Sequence, residues 1–314
     1  MTDGPAGLIG RLLYVGNVVI DLVLTVPALP DRGAGLLASS SRATPGGGFN
    51  VMTAAARQGL PVAYGGAHGR GPFGDLARSG LAAAGISVLL PPAAGPDTGI
   101  VVSVIDAGGE RTFVTSPGAE ARLTAADLAA VVPGRRDAVA LSGYSLLYPA
   151  SRSALLGWLP RLGPATQLVV DPGPLAGQIP AAALAAVRGR ADWLTCNARE
   201  AAILTGQPDP RAAARALGGH GGRGVIVRLG PDGCLIGRAG DEPGHVPGFA
   251  VTAIDTNGAG DTHTGTFIAA LARGADHVEA ARLANGAAAY SVTLPGPATA
   301  PTVAELASFL AASS

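Results

Sequence analysis

The sequence predicts an α/β fold in which helices flank a mostly parallel central sheet and a small β-layer stands apart. Apolar runs of strand length alternate along the chain with alanine-rich stretches of helical length, and this alternation indicates parallel strands joined by helices. Two regions, 22–44 and 97–117, break the alternation. With 314 residues, of which 48% are hydrophobic, the chain can bury a large core, and we expect one domain over residues 1–314.

The elements of the central sheet can be assigned in order along the chain. The first strand is predicted at Leu12–Ile20 and is followed by a helix at Asn50–Gln58, a strand at Val62–Gly65 and a helix at Gly74–Ala84, which Gly85 closes. Later strands are predicted at Ala138–Leu141, Leu168–Val170, Trp193–Cys196 and Val225–Val227. Helices near 260–273, 277–292 and 302–312 complete the chain.

The regions 22–44 and 97–117 look extended, because they contain turn residues and no intervening helix. In the second region, Ile100–Ile105 and Arg111–Thr115 flank the turn Asp106–Glu110, a pattern that predicts a β-hairpin. These pieces do not fit readily into a parallel sheet. We therefore expect them to form the small separate β-layer.

The charge balance excludes several classes of function. The 22 basic residues equal the 22 acidic ones, so the chain has no electrostatic footprint for nucleic acid or an anionic membrane. Every basic residue is arginine. A Walker-A loop and Schiff-base chemistry both need a lysine, so both are excluded. Any cation for a phosphate must come from arginine, histidine, a metal or backbone N–H groups.

The cysteines and the N-terminal apolar run bear on the cellular compartment. Cys196 and Cys234 do not form a disulfide framework, which fits a reducing compartment and a cytoplasmic location. The run Leu12–Val26 is interrupted by Asn17 and Asp21 and lacks a basic n-region, so we interpret it as a strand rather than a signal sequence. No run is long enough to span a membrane.

A glycine-rich turn between two carboxylates is the most informative motif. The stretch Asp255–Asp261 reads Asp-Thr-Asn-Gly-Ala-Gly-Asp and runs into an apolar, helix-like segment. Consecutive backbone N–H groups at a helix N-terminus suit a phosphate or a developing anion. Asp261 could accept the proton of an attacking hydroxyl, although Asp at this position also commonly caps a helix. The motif predicts phosphoryl transfer.

This motif resembles the C-terminal signature of the ribokinase-like (PfkB) carbohydrate kinase family, and the resemblance extends from about residue 12 to about residue 301. It implies a three-layer sandwich with a small β-sheet lid over the substrate. It further implies that Asp261 is the catalytic base and that the backbone of Gly258, Ala259 and Gly260 forms an anion hole. Asp255 would organise the turn and a neighbouring monovalent-cation region, or serve as a plain turn residue.

Two segments of the N-terminal half carry the expected substrate site. Thr44–Val51 resembles the family's N-terminal glycine signature, and glycine lets a backbone approach a ligand closely. The alternative is that these residues form a turn that caps the helix beginning at Asn50. Asp21 follows an apolar run and would hold substrate hydroxyls, unless it is a solvated strand end. The residues expected to bind substrate are Asp21, Asn17, Gly46, Gly47, Gly48 and Asn50.

Further motifs in the C-terminal half point to a nucleotide. Asn197 and Glu200 resemble the family's Asn-x-x-Glu motif. The resemblance implies that they hold Mg²⁺ through water; the alternative is a capping pair at a helix start. Arg228 would supply a cationic donor or would be an exposed strand-end arginine. The segment Thr293–Pro297 resembles the loop that closes the nucleotide site and, in some members, a potassium site. The residues expected at the nucleotide are Asn197, Arg228, Gly230, Gly233 and Asn285.

Together these features predict an ATP-dependent kinase that uses Mg²⁺, allows a K⁺ requirement and phosphorylates a hydroxyl of a small sugar. A nucleoside kinase of the same fold and a sugar- or nucleoside-binding protein without catalysis are the alternatives. Arg111 and Arg122 are the cations available to a phosphorylated sugar, and we favour an unphosphorylated one. The open β-layer has edges that could pair in a homodimer. His263 stands two positions after the predicted base, where it could simply pack.

Overall fold

The computed structural model describes residues 9–108, 110–218, 224–238 and 240–313. Its strands are β1 Arg11–Val15, β2 Val18–Thr25, β3 Ser40–Gly47, β4 Val62–Tyr64, β5 Ser87–Val88, β6 Ile100–Ile105, β7 Arg111–Ser116, β8 Asp137–Ser142, β9 Gln167–Asp171, β10 Trp193–Asn197, β11 Gly224–Arg228, β12 Cys234–Arg238 and β13 Gly244–Val246. Its helices are α1 Gly48–Arg57, α2 Pro72–Ala83, α3 Ala125–Ala130, α4 Tyr144–Leu147, α5 Pro149–Trp158, α6 Ala181–Arg190, α7 Ala198–Thr205, α8 Pro210–Gly218, α9 Ala259–Ala272, α10 His277–Ser291 and α11 Val303–Ala312.

Among the described residues, nine strands form the large sheet in the order β13-β12-β11-β10-β9-β8-β1-β4-β5. Neighbours from β11 to β5 pair in parallel, whereas β12 and β13 join the edge in antiparallel fashion. The expected mostly parallel sheet is therefore confirmed. The antiparallel edge was not predicted. Antiparallel strands can be joined by a tight turn, so they lack the intervening helix that indicates a parallel strand.

Helices cover both faces of the large sheet, as a parallel sheet requires. Alternate residues of β1 show this: Leu12 and Tyr14 belong to one buried cluster, together with Phe267 of α9. Leu13 and Val15 belong to a second cluster on the opposite face. No described helix has the length and apolar character that crossing a lipid bilayer would demand.

The small sheet has the strand order β3-β2-β6-β7 and confirms the expected separate β-layer. The predicted hairpin is the antiparallel pair β6–β7, and Asp106 Oδ1 accepts N–H bonds from Gly108 and Glu110 in its turn. Gly109 lies outside the described residues. The small sheet begins at Val18, four positions before the expected segment 22–44.

The single first strand predicted at Leu12–Ile20 is wrong. The run splits at Gly16 and Asn17 into β1 of the large sheet and β2 of the small one. A Cβ at Gly16 would lie 2.9 Å from the Tyr14 ring, so only glycine lets the chain turn away there. Asp21 accordingly does not end a strand of the large sheet. It lies in the middle of β2, paired with Thr44 and Val101.

Candidate active site

The carboxyl group of Asp261 lies in the first turn of α9, directly after the turn that begins the helix. Gly258 precedes this helix in the left-handed conformation, with φ 75°, which glycine adopts without strain. Asn50 Nδ2, from α1, donates a hydrogen bond of 3.1 Å to Asp261 Oδ2. Burial raises the pKa of Asp261 to about 7, against the opposing effect of the Asn50 hydrogen bond. The group can therefore exchange a proton near neutral pH.

The turn around Asp261 is tightly packed and still has free donors. A Cβ at Gly258 would overlap the carbonyl oxygen of Pro297, and one at Gly260 would lie 3.3 Å from the guanidinium carbon of Arg228. Within the described part of the chain, no hydrogen bond uses the N–H groups of Gly260 and Asp261. N–H groups of a first helical turn without intrahelical partners can bind an anion.

Arg228 is a largely buried cation beneath this turn, with 13% of its side chain exposed. Its Nη1 lies 3.0 Å from Asp171 Oδ2 and donates to Thr195 Oγ1 at 2.7 Å and Thr264 Oγ1 at 3.3 Å. Its Nη2 lies 3.7 Å from Glu200 Oε2. The guanidinium is therefore an anchored group whose charge two carboxylates offset, and the alternative of an exposed strand-end arginine is wrong.

Asn197 and Glu200 form a reciprocal cap at the start of α7. The Asn197 N–H donates to Glu200 Oε2 and the Glu200 N–H donates to Asn197 Oδ1, both at 2.8 Å. Burial, and then the nearby carboxylate of Asp171, raise the pKa of Glu200. Within the described residues, Glu200 Oε1 accepts no hydrogen bond. The pair caps the helix and keeps one carboxylate oxygen available.

The expected substrate residues come together where the small sheet meets α1. A Cβ at Gly46 would overlap the Asp21 carboxylate, and one at Gly47 would lie 3.2 Å from Asn17 Nδ2. Burial raises the pKa of Asp21 to about 6. The side-chain oxygens of Asn17 and Asn50 are buried without a hydrogen-bond partner among the described residues. Such acceptors suit the hydroxyl groups of a ligand.

Gly48 packs differently from its two neighbours in the glycine loop. A Cβ at this position would overlap the ring of Tyr14, so Gly48 admits an aromatic side chain rather than opening a path to a ligand. Burial raises the pKa of Tyr14 above its ordinary range, and Asp261 adds to the effect. Gly48 thus keeps Tyr14 beside the predicted base.

A cavity of ≈ 530 Å³ lies beside the cap of α7. Three of the expected nucleotide residues line it, namely Asn197, Arg228 and Gly230. Gly233 does not line it. This glycine lies in the turn between β11 and β12, with φ 91°. Arg199 also lines the cavity. It is exposed and has no ion pair within the described part of the chain, so it is a cation that sequence reasoning missed.

Asn285 is buried rather than turned toward the cavity. Its Nδ2 donates to the carbonyls of Val246 and Pro247, both at 3.0 Å, and its Oδ1 pairs with His263 Nε2 at 3.1 Å. The amide has no hydrogen left for an adenine. Burial lowers the pKa of His263 to about 3, so this ring is neutral and packs at the helix start.

Comparison with known proteins agrees with this arrangement. The family description "pfkB family carbohydrate kinase" matches residues 10–303. The chain belongs to this family. It is 31% identical over 300 residues to the uncharacterized sugar kinase YegV of Escherichia coli strain K12, covering 94% of this chain and 92% of that protein.

Two solved structures extend the likeness to the whole pfkB fold. Ribokinase from Thermotoga maritima superposes with a TM-score of 0.83 at 27% identity, covering 96% of this chain and 99% of that one. Aminoimidazole riboside kinase from Salmonella enterica, complexed with aminoimidazole riboside and an ATP analogue, gives 0.80 at 25% identity, covering 96% and 100%. The protein is a carbohydrate kinase with the ribokinase-like fold.

Asp255 of this pfkB kinase is engaged on both oxygens. Its Oδ1 lies 2.6 Å from Arg111 Nη2 and accepts the Asn257 N–H at 2.9 Å. Its Oδ2 accepts the Gly296 N–H at 3.1 Å and lies 3.9 Å from Arg42 Nη2. The charge of the carboxylate is therefore offset by arginine. Because both oxygens are engaged, the Asp255 side chain does not fit a monovalent cation.

Asp171 is a site residue of the kinase that sequence reasoning missed. It ends β9, accepts the Gly173 N–H at 2.9 Å and pairs with Arg228. The signal was an aspartate at the carboxyl end of a predicted parallel strand, where open α/β sheets place their ligands.

Proposed function

We propose that this kinase transfers the γ-phosphoryl group of ATP to a hydroxyl of a small unphosphorylated sugar, with Asp261 as the general base. One observation carries the proposal. Asp261 stands at the N-terminus of α9 with a pKa of about 7, a hydrogen bond from Asn50 and unpartnered N–H groups beside it. A base with a pKa near the working pH, next to donors for a developing anion, is what phosphoryl transfer to an alcohol needs.

The residues of the site divide the work. Asn17 and Asn50 hold substrate hydroxyls, since their buried side-chain oxygens lack partners among the described residues. The carboxyl group of Asp21, against Gly46 of the glycine loop, holds a further hydroxyl. Asp261 accepts the proton of the attacking hydroxyl as its oxygen bonds to the γ-phosphorus, while the bond from that phosphorus to the bridging β-phosphate oxygen breaks and ADP leaves. The backbone of Gly258, Ala259 and Gly260 forms the anion hole for the transferred group. The N–H groups of Gly260 and Asp261 are its donors.

The nucleotide occupies the cavity lined by Asn197, Arg228 and Gly230. The charge of Arg228 is already offset by Asp171 and Glu200, so Arg199 is the cation that meets the phosphates. The available Oε1 of Glu200 and the side chain of Asn197 would hold Mg²⁺ through water, because this ion keeps several water ligands and few protein ones. When bound, the metal offsets negative charge on the phosphates.

The charges of the pocket favour an unphosphorylated substrate. Arg111 is committed to Asp255, and Arg122 is exposed in the short turn before α3. Asp21 lies next to the glycine loop and would repel a second phosphate. Of the two arginines that the sequence offers to a phosphosugar, Arg111 is thus engaged and Arg122 is exposed.

A nucleoside is the second candidate substrate, and Tyr144 favours it. Tyr144 is partly exposed at the carboxyl end of β8, and its ring lies 3.5 Å from where a Cβ of Gly173 would be. Burial, and then Tyr148 and Asp261, raise the pKa of its phenol. An aromatic ring whose phenol interacts with the charge of Asp261 could stack on the heterocycle of a nucleoside.

The test is ATP consumption with Mg²⁺ across free sugars, phosphosugars and nucleosides, with the Asp261→Asn variant in parallel. We expect turnover with one class, and a kcat lower by at least about 100-fold in the variant because its general base is lost. Asp276→Asn is the control, because Asp276 is an aspartate at a helix N-terminus, where it accepts the Glu279 N–H, but it lies beyond the C-terminal end of α9.

Undiminished kcat in Asp261→Asn would refute the mechanism. If no compound turns over although calorimetry detects bound sugar or nucleoside, the protein is a binding protein without catalysis. Turnover of nucleosides in preference to free sugars would select the second candidate.

A further inference from the structure

Asp255 joins three separate parts of the molecule. One oxygen accepts the N–H of Asn257, in the turn that leads to the anion hole, and the other accepts the N–H of Gly296, in the segment Thr293–Pro297. The guanidinium groups that neutralise it come from the small sheet: Arg111 begins β7, and Arg42 lies on β3.

The contact between Arg111 and Asp255 is sheltered from solvent. The two side chains are 23% and 10% exposed, and their atoms lie 2.6 Å apart. Screening by water and salt is weak at such a pair. Burial by itself would raise the pKa of Asp255, but the N–H of Asn257 and the Arg111 guanidinium outweigh it and keep the pKa below its ordinary value. Asp255 is thus a permanent carboxylate with a permanent counter-charge.

A cation at this carboxylate has a defined physical effect. It offsets the negative charge that would otherwise stand beside the anion hole, and it ties two loops to one point. A monovalent metal ion and a guanidinium group can both do this. Arg111 already lies against Oδ1 and Arg42 lies near Oδ2, so a metal ion at this carboxylate would be a third positive charge and would be repelled by the other two.

We propose that Arg111 supplies this positive charge from the small sheet, so that the phosphoryl transfer proposed above does not depend on potassium. Arg111 is a positioning residue: it acts on the anion hole through Asp255 and Asn257. Because Arg111 belongs to β7, its guanidinium group contacts Asp255 only when the small sheet packs against the turn. The small sheet therefore helps to assemble the anion hole as well as cover the substrate.

The experiment compares the wild type, Arg111→Ala and the control Arg32→Ala in potassium chloride and in tetramethylammonium chloride at equal ionic strength. Arg32 is an exposed arginine in the connection between β2 and β3. We expect equal kcat in both salts for the wild type and the control. For Arg111→Ala we expect kcat to fall by about tenfold in tetramethylammonium, the scale for losing a group that orients a site residue, and to recover in part with potassium or guanidinium ions.

Thermal melting gives a readout that needs no turnover. The Tm of the wild type should be the same in the two salts, whereas potassium should raise the Tm of Arg111→Ala. Potassium activation or stabilisation of the wild type would overturn the inference, and so would equal behaviour of the two variants. If the wild type consumes no ATP in either salt, the proposed function fails, while the melting data still decide whether Arg111 replaces the ion.

Discussion

At the scale of single residues, the site is controlled by carboxyl groups held away from water. Burial raises the pKa of Asp21 to about 6 and that of Asp261 to about 7. Asp171 and Asp21 raise the pKa of Asp261 further, whereas Arg228 and Asn50 lower it. Neighbouring groups thus have opposing effects on the pKa of Asp261, and removing one of them should shift that pKa.

The pH dependence of kcat/KM should report this balance. Only the ionised form of Asp261 can accept a proton, so kcat/KM should rise with pH through an apparent pKa near 7, as its burial sets, and be small at pH 5. Asn50→Ala removes a hydrogen bond that favours the ionised form, so the apparent pKa should move to higher pH. The measurement is a kcat/KM profile from pH 5 to 9 for both proteins.

Thr53→Ala is the matched control, because Thr53 lies on the same helix as Asn50 and its buried hydroxyl has no partner among the described residues. Its profile should coincide with that of the wild type. An apparent pKa near that of a free aspartate, or the same profile in Asn50→Ala as in the wild type, would show that Asp261 is not the titrating base.

The sequence predicts Asp261 and its glycine turn because all their parts are adjacent in the chain. It does not predict the hydrogen bond from Asn50, which joins residues 211 positions apart. Nor does it predict that Arg228 is buried between Asp171 and Glu200, because that depends on the order of strands in the sheet. Local motifs name the residues, and the tertiary fold decides their partners.

At the scale of elements, the crossing of α1 and α9 sets the distance between Asn50 and Asp261. Gly265 of α9 lies at the crossing. A Cβ there would overlap the carbonyl oxygen of Val51 and lie 2.7 Å from the Ala54 Cβ. The missing side chain lets the two helices approach until their polar ends meet at the site.

Gly265→Ala should therefore destabilise the protein although alanine favours helices. Overpacking of a core contact costs about 1–3 kcal/mol, more than alanine gains in helix propensity, about 1 kcal/mol. We expect a lower urea midpoint and a lower kcat, since the helices must separate. Gly157→Ala in α5 is the control, because a Cβ there meets no atom within 4 Å, and this variant should be as stable as the wild type or more so. Equal midpoints for the two variants would contradict the role of the crossing.

The elements that alternate regularly are predicted well, and those that interrupt the alternation are not. The predicted strand Trp193–Cys196 and the helix near 260–273 match β10 and α9 closely. The run Leu12–Ile20 is assigned to one strand because both β1 and β2 are apolar, and hydrophobicity does not record which sheet a residue faces. Short helices such as α3 and α4 lack enough turns to show a helical period.

At the scale of the whole molecule, the small sheet exposes its β7 edge and several apolar side chains. Among the described residues, β7 pairs with β6 alone, and its residues from Thr112 to Ser116 are exposed. Phe113 and Val114 are 55% and 63% exposed, and Leu37, in the connection to β3, is 91% exposed. Exposed edges and apolar patches of this kind are typical of protein interfaces.

We predict that two copies of the chain associate through their small sheets. Val114→Glu places a charge on this surface and should shift the protein toward monomer, with a lower sedimentation coefficient at micromolar concentration, because burying an unpaired charge is costly. Val278→Glu is the matched control: Val278 is 50% exposed on α10, remote from the small sheet, and its substitution should leave the association unchanged. A wild-type protein that sediments as a monomer at all concentrations would refute the prediction.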